Sequence, residues 1–536
     1  MAHATTPSSI TGRQAIRRIV AGAAAVALVS VFTVFSAATT ASAAPDSSGC
    51  DNRTNNTYTK LLECLRVEGV REHQAALQAI ADANGGTRAA GTSGYTGSVD
   101  YVVDTLEAAG WTVTLDEFPF TFFPAAVLEQ LTPVAATYET GVFTASGFGE
   151  VTGNVIPVDI NLVPPRASTS GCEDADYAGL DFSGPSDIAL IQRGTCTFSD
   201  KAVRAEANGA EAVVIFNQGN DPTREGLIVG TLLPGPVVNI PVVGASFADG
   251  AALAQTGSTA HIDVDPPESR PQVNVIAELP GANNDNVVMA GAHLDSVQAG
   301  PGINDNGSGS AALLELAQQL GKLQPENTLR FAWWGAEESG LIGSTDYVNT
   351  LSQAERDRIA LYLNFDMIGS PNYVFMIYDG DESGFPAPVP VPEGSIAIED
   401  LFESYFTLVG EPYDDAEFSG RSDYQAFIAN NIPAGGLFTG AEVPKTAEQQ
   451  AIWGGTVGAQ FDPCYHLACD TLDNVSLKAL DVNSDAIAFA VLTYAYSTES
   501  VNGVPGRDVP GNFTIPAPAG PEGTGAGGGY QPGEPA

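Results

Sequence analysis

The sequence predicts an α/β fold interrupted by a β-rich insert, and three observations carry that expectation. Across residues 272–500, apolar strand-like runs alternate with helix-like stretches. Across residues 119–268, helices become scarce, and short Val/Ile-rich runs alternate with Gly, Pro and Asn. The chain has 536 residues, 44% of them apolar, which is enough to bury large cores and excludes a disordered chain. Its 58 Gly and 35 Pro are scattered, and no heptad run appears, which excludes collagen-like and coiled-coil architectures.

In chain order, Arg13, Arg17 and Arg18 precede an apolar run over 19–34, and Ala41-Ser42-Ala43 offers a small-residue cleavage site. Residues 1–43 therefore read as a signal peptide, too short in its apolar part to span a bilayer. The Arg17-Arg18 pair hints at twin-arginine export, but its surroundings match that signal poorly. Residues 44–118 form a leader, loose over 44–60, and the first part of the main body. Within it, helices are expected over 67–83 and 98–109, the second stopped by Gly110, followed by a strand over 111–115. The insert, 119–268, carries strands at 187–192 and 212–216 around a helix at 201–207. The main body resumes over 269–500, and the Pro/Gly-rich end of the 501–536 tail, from Pro516, reads as disordered.

Composition narrows the function. There are 64 Asp+Glu against 22 Lys+Arg, a net charge of −42. So few cations cannot neutralise a run of phosphates or an anionic bilayer surface, so neither nucleic acid nor membrane is an expected partner. All six cysteines, Cys50, Cys64, Cys172, Cys196, Cys464 and Cys469, lie beyond the cleavage site, and an even number in an exported chain favours three disulfides. Nearest-neighbour pairing is the simplest connectivity. No Cys-x-x-Cys pair supports a zinc-thiolate site.

The chemistry-bearing residues share a layout. Strand 286–290 leads to His293 and Asp295, strand 328–334 to Glu337 and Glu338, and strand 361–365 to Asp366. Asp305 lies in a loop opening a helix whose first residues, Gly307 to Ser310, are small. In open α/β sheets, sites form at the carboxyl ends of strands, so these side chains have reason to converge. His466, one of only five histidines, lies between Cys464 and Cys469 with Tyr465 beside it; a bridge there would pin both rings. Two His plus three carboxylates is a natural nitrogen and oxygen set for two zinc ions.

The stretches AGAHLDSVQAGPGINDNGSGSAALLELA, LRFAWWGAEESGLIGS, LNFDMIGSPN, GRSDYQAF, GGLFTGAE and FDPCYHLACDTL resemble the secreted two-zinc aminopeptidases of the aminopeptidase S and aminopeptidase Y type. The similarity covers roughly residues 67–118 and 272–495. The run ALIQRGTCTFSDKAVRAEANGAEAVVIFN resembles the protease-associated domain. The resemblance implies a mixed central sheet flanked by helices, an α/β/α sandwich, in which His293 and Asp366 hold one zinc and Glu338 and His466 the other. Asp305 would bridge the ions, Glu337 would be the general base, Asp295 would orient the His293 ring and Tyr465 would stabilise the oxyanion. Peptide and protein N-termini would be the substrates, and the protein a secreted monomer. Met367 and Phe438 stand where the family has its apolar first-residue pocket, so a large residue such as Leu is expected.

Scarce basic residues favour recognition of an amino end over a carboxyl end, independently of the resemblance; Arg421 is the one basic residue within the matching motifs. Two departures stand out. Tyr424 follows Asp423 where the family often has His. The family's calcium pair resembles Asp481 and Asp485, but its amino-terminal Asp partner has no clear counterpart, and a solvated acidic helix face is the competing reading. A carboxypeptidase or glutaminyl cyclase of the same fold, or a catalytically silent receptor-like protein, are the alternatives; retention of all five ligands and Glu337 weighs against the last.

Overall fold

The computed structural model describes residues 48–527. The expected signal peptide, residues 1–43, lies outside the described residues. The main body is built on an eight-stranded mixed sheet, in the order Thr112–Phe118, Gln272–Leu279, Asn327–Trp334, Asn283–His293, Ile359–Phe365, Ala434–Phe438, Met376–Tyr378 and Asp414–Ala416. Its four middle strands, Asn327–Trp334 through Ala434–Phe438, run parallel; antiparallel neighbours begin at Gln272–Leu279 on one side and at Met376–Tyr378 on the other. Helices flank the sheet, so the central strands are buried on both faces. That is why Ile359–Phe365 reads as an almost continuous apolar run rather than an alternating one.

Register decides where the site lies. His293 pairs with Trp334, and Gly291 with Asn364. The three central strands therefore end at one level, and the residues that follow them are delivered to one edge.

The insert forms its own seven-stranded sheet, Ala136–Thr137, Val127–Thr132, Thr259–Val264, Gly149–Val158, Asp187–Gln192, Ala212–Phe216 and Val242–Ala245. Alternate residues of one strand face opposite sides. Thus Ile188 and Leu190 pack with Val214, Phe216 and Ile262, while Ala189 and Ile191 pack with Val213, Ile215 and Phe143. Where the chain enters and leaves the insert, Thr121–Phe122 pairs antiparallel with Glu268–Ser269.

Three disulfides join nearest neighbours: Cys50–Cys64, Cys172–Cys196 and Cys464–Cys469. No helix of the described residues is long and apolar enough to cross a membrane.

Three local expectations need correction. The leader is not loose from residue 48 onward: Tyr58–Cys64 is a helix capped by Thr57, with Tyr58 and Leu61 buried and the Tyr58 ring 4.7 Å from Phe489. The helix expected from residue 98 begins at Ser93, where the Thr92 hydroxyl accepts from the Tyr95 N–H, a cap contributing about 1 kcal/mol. Gly94 hides this start in the sequence, yet it is required: a Cβ there would lie 2.0 Å from the Thr87 carbonyl oxygen. Finally, the tail over 516–527 is docked rather than disordered. The Asp414 carboxylate accepts from the N–H groups of Gly523, Thr524 and Ala526, and the Tyr413 hydroxyl accepts from Gly520 N–H at 2.8 Å.

Candidate metal centre

The parallel strand ends carry the side chains the register brings together. His293 closes its strand; Glu337 and Glu338 follow Asn327–Trp334, and Asp366 follows Ile359–Phe365. Asp305 comes from the loop before helix Gly307–Leu320. Asn306 caps that helix by accepting from Gly309 N–H, while its amide donates to the Phe365 carbonyl at 2.9 Å. Gly309 is needed for this approach, since a Cβ would sit 2.1 Å from the Phe365 carbonyl oxygen. The serines of the same turn pin the strand ends: the Ser310 hydroxyl donates to the His293 carbonyl at 2.6 Å, and the Ser308 hydroxyl accepts from Ile368 N–H at 3.0 Å.

Two triads result, and they share one carboxylate. His293 Nε2 lies 3.2 Å from Asp305 Oδ1 and 3.4 Å from Asp366 Oδ1. His466 Nε2 lies 3.3 Å from Asp305 Oδ2 and 2.9 Å from Glu338 Oε2. Glu337 Oε2 approaches His293 Nε2 at 3.9 Å. The Tyr465 and His466 rings stack at 3.8 Å within the loop closed by Cys464–Cys469.

Supporting contacts fix each member. Trp334 Nε1 donates to the Tyr362 hydroxyl, which donates to Asn364; the Asn364 amide donates to the Ser422 hydroxyl, which donates to Asp366 Oδ2 at 2.6 Å. The Asp295 carboxylate accepts from the N–H groups of Glu337 at 3.1 Å and Glu338 at 3.3 Å. It stands 3.7 Å from His293 Nδ1, whose nearer partner is the Asp295 carbonyl at 3.1 Å. Asp295 thus meets the His293 ring chiefly through its backbone and holds the Glu337–Glu338 turn with its side chain.

Three supporting residues escaped sequence reasoning. Asp470 accepts from the N–H groups of Asn304 and Asp305 at 2.9 and 3.0 Å. Asp462 accepts from the Asn304 amide at 2.6 Å and from Cys464 N–H at 2.8 Å. The fully buried Arg88 donates to the carbonyls of Leu294, Pro301 and Gly302, tying the end of the His293 strand to the loop before Asp305. Asp462 and Asp470 lie in the FDPCYHLACDTL stretch and could have been picked out there; Arg88 carries no such signal.

The other expected residues lie around the triads. The Arg421 fork donates to Glu442 at 2.7 Å and to the Tyr465 hydroxyl at 3.2 Å. Met367 is buried directly after Asp366, and Phe438 is half-buried at the end of its strand. Asp481 and Asp485 belong to none of the groups of three or more acidic, His or Cys side chains converging on one point among the described residues.

Electrostatics shows what the triads lack. Burial raises Glu338 to about 7, helped by Asp305, and raises Glu337 well above the usual carboxylate range. Burial alone would lower His466, but Asp305 and Glu338 hold it at about 10. His293 Nε2, Asp366 Oδ1 and Glu338 Oε1 are buried without a hydrogen-bond partner. Orphaned buried polar atoms are rare. Here they point into two clusters of mixed nitrogen and oxygen donors, His293–Asp305–Asp366 and Asp305–Glu338–His466, each with its ligand atoms within 4.8 Å of one another. This donor set fits two zinc ions.

Comparison with known proteins agrees in kind. Residues 274–491 match the model of peptidase family M28, and residues 151–253 that of the PA domain. An aminopeptidase of Pseudomonas aeruginosa is 48% identical over 451 residues, 82% of this chain and 83% of that protein. A probable leucine aminopeptidase 2 of Aspergillus fumigatus is 48% identical over 64% of this chain and 68% of its own. Among solved structures, an aminopeptidase from Aneurinibacillus sp. strain AM-1 aligns with a TM-score of 0.54 and 28% identity, over 87% of this chain and 99% of that one.

Proposed function

The chain belongs to peptidase family M28 and is an aminopeptidase, and we propose that it is a secreted two-zinc enzyme removing large hydrophobic residues such as Leu from peptide and protein N-termini. The observation that carries this reading is the pair of triads sharing Asp305, with Glu337 beside them. His293 and Asp366 would hold one ion, Glu338 and His466 the other, and Asp305 both. Zinc bound there would supply Lewis acidity, lowering the pKa of a water and polarising the scissile carbonyl.

The remaining steps belong to the chain's own residues. Glu337 takes the water proton and delivers it to the leaving amine. The Tyr465 hydroxyl donates to the oxyanion. Arg421 and Glu442 hold that hydroxyl in place, so the Arg421 fork is already occupied and does not serve as a carboxylate clamp. This supports an amino-end over a carboxyl-end exopeptidase. Met367 and Phe438 line the first-residue pocket. Three disulfides and the signal-like residues 1–43 support export.

The test is metal content and activity together. Purified protein is expected to carry about two zinc ions per chain, to hydrolyse Leu-p-nitroanilide, to lose activity to a chelator and to regain it with zinc. Fully active protein without zinc, or activity only on peptides with a free carboxyl end, would refute the assignment.

A further inference from the structure

A second group of carboxylates gathers at the far edge of the main sheet. Glu399 and Glu403 lie four residues apart on helix Gly394–Val409 and so share a face. Asp415 is the middle residue of the edge strand Asp414–Ala416. One oxygen from each lies within 4.8 Å of the others. All three are more than nine-tenths buried, at 5%, 8% and 5% exposure respectively.

Their partners show which oxygens remain free. Neighbouring Asp379 is satisfied by its own loop, accepting from the N–H groups of Ser383, Gly384 and Phe385 at 2.7–2.9 Å. Glu399 uses Oε2 alone, accepting from Gly380 at 3.0 Å and Asp381 at 3.1 Å. Among the described residues no group donates a hydrogen bond to the Asp415 carboxylate, although Asp415 is buried and an oxygen of it lies where Glu399 and Glu403 meet. Space is kept open beside it: a Cβ on Gly384 would lie 2.7 Å from Asp415 Oδ2. The charged groups acting most strongly on Glu399, Glu403 and Asp415 are other carboxylates. Buried anions of one sign with an unpartnered member call for a cation.

We propose that Glu399, Glu403 and Asp415 form a calcium site that ties helix Gly394–Val409 to the edge of the sheet. Its donors are all oxygen, with no His or Cys, which selects a hard cation over zinc. Carboxylates from a helix and a strand form a ligand shell of adjustable shape, which suits calcium better than the strict octahedron of magnesium. Exposed Asp381 brings a further carboxylate to Glu399, together with Asp379.

The test uses full-length protein kept saturated with zinc and freed of calcium with EGTA, then titrated with calcium chloride by calorimetry. One calcium per chain is expected, with Kd in the range of about 10⁻⁷–10⁻³ M, together with a rise in Tm that magnesium reproduces far less well. The double variant E403Q/D415N should lose both effects, keep its zinc, and be at least as stable as calcium-free wild type. Asp415→Asn alone, read by terbium luminescence sensitised through Tyr413, should bind at least tenfold more weakly, and serves if the double variant misfolds. The proposal is overturned if wild type binds no calcium, if Asp415→Asn binds it unchanged, or if binding is lost instead in D481N/D485N.

Discussion

Glu337 and Glu338 are sequence neighbours held by one acceptor, since their N–H groups reach the two oxygens of Asp295. Their side chains nevertheless diverge: Glu338 Oε2 lies 2.9 Å from His466, and Glu337 stands 3.9 Å from His293. That divergence predicts different losses. Glu337→Gln should keep both zinc ions and lower kcat by about 10²–10⁴, the worth of a positioned base, with KM changed little. Glu338→Gln should bind less zinc, because a neutral amide replaces an anionic ligand. Equal zinc loss in the two variants, or near-wild-type turnover in the first, would show the roles to be misassigned. At this scale the sequence was most legible where a functional residue stands at or just beyond the end of a strand, as with His293, Glu337, Glu338 and Asp366. Arg88 was opaque because it acts on backbone carbonyls far away in the chain, and such contacts leave no local pattern, whereas Asp462 and Asp470 stand in a stretch that already holds Tyr465 and His466.

Elements were legible where burial imposes a period and hidden where it does not. Val67–Ala83 shows its apolar stripe. The start of Ser93–Ala108 is masked by glycines that the packing requires. The docked tail is masked because it is held mainly through its backbone N–H groups, so its Pro/Gly composition reads as disorder. The acidic edge formed by helix Gly394–Val409 and strand Asp414–Ala416 carries an element-level prediction. Burial, with crowding by neighbouring carboxylates, raises Glu399 to about 9, and Glu403 and Asp415 to about 7 each. Asp379, Asp381, Asp400 and Asp414 and the Tyr413 hydroxyl are the groups facing them. Carboxyls whose pKa is higher in the folded chain bind protons more tightly there. Their stabilisation is full below the unfolded values of 3.8 and 4.5 and is lost as pH rises through about 7 to about 9. In calcium-free buffer, wild-type Tm should therefore fall between pH 5.5 and 9 more than that of Glu399→Gln. Parallel curves would locate the pH dependence elsewhere.

For the whole molecule, the question is whether the insert is structurally separable. Its cores, around Ile188, Val214 and Ile262 on one face and Ile191, Val213 and Phe143 on the other, share no residue with the core of the main body. The two parts of the chain are joined where Phe122 pairs with Glu268 and Thr121 with Ser269. Antiparallel partners lie about 5 Å apart, a gap that a two-residue turn spans. Replacing residues 123–267 with Asn-Gly should therefore close a hairpin without moving the main sheet. Phe118, Phe120 and Phe122 must stay, because they pack with Ala90 and Ala336, the residue before Glu337. The shortened protein is expected to fold, to bind about two zinc ions, and to hydrolyse Leu-p-nitroanilide with kcat/KM within about tenfold of the full chain, a change of about 1.4 kcal/mol. The excised insert should give a cooperative unfolding transition of its own. A shortened protein that folds but loses zinc would mean the insert supports the Ala336–Glu338 turn. An insert that unfolds without a transition would mean that its two sheet faces need the main body to complete them.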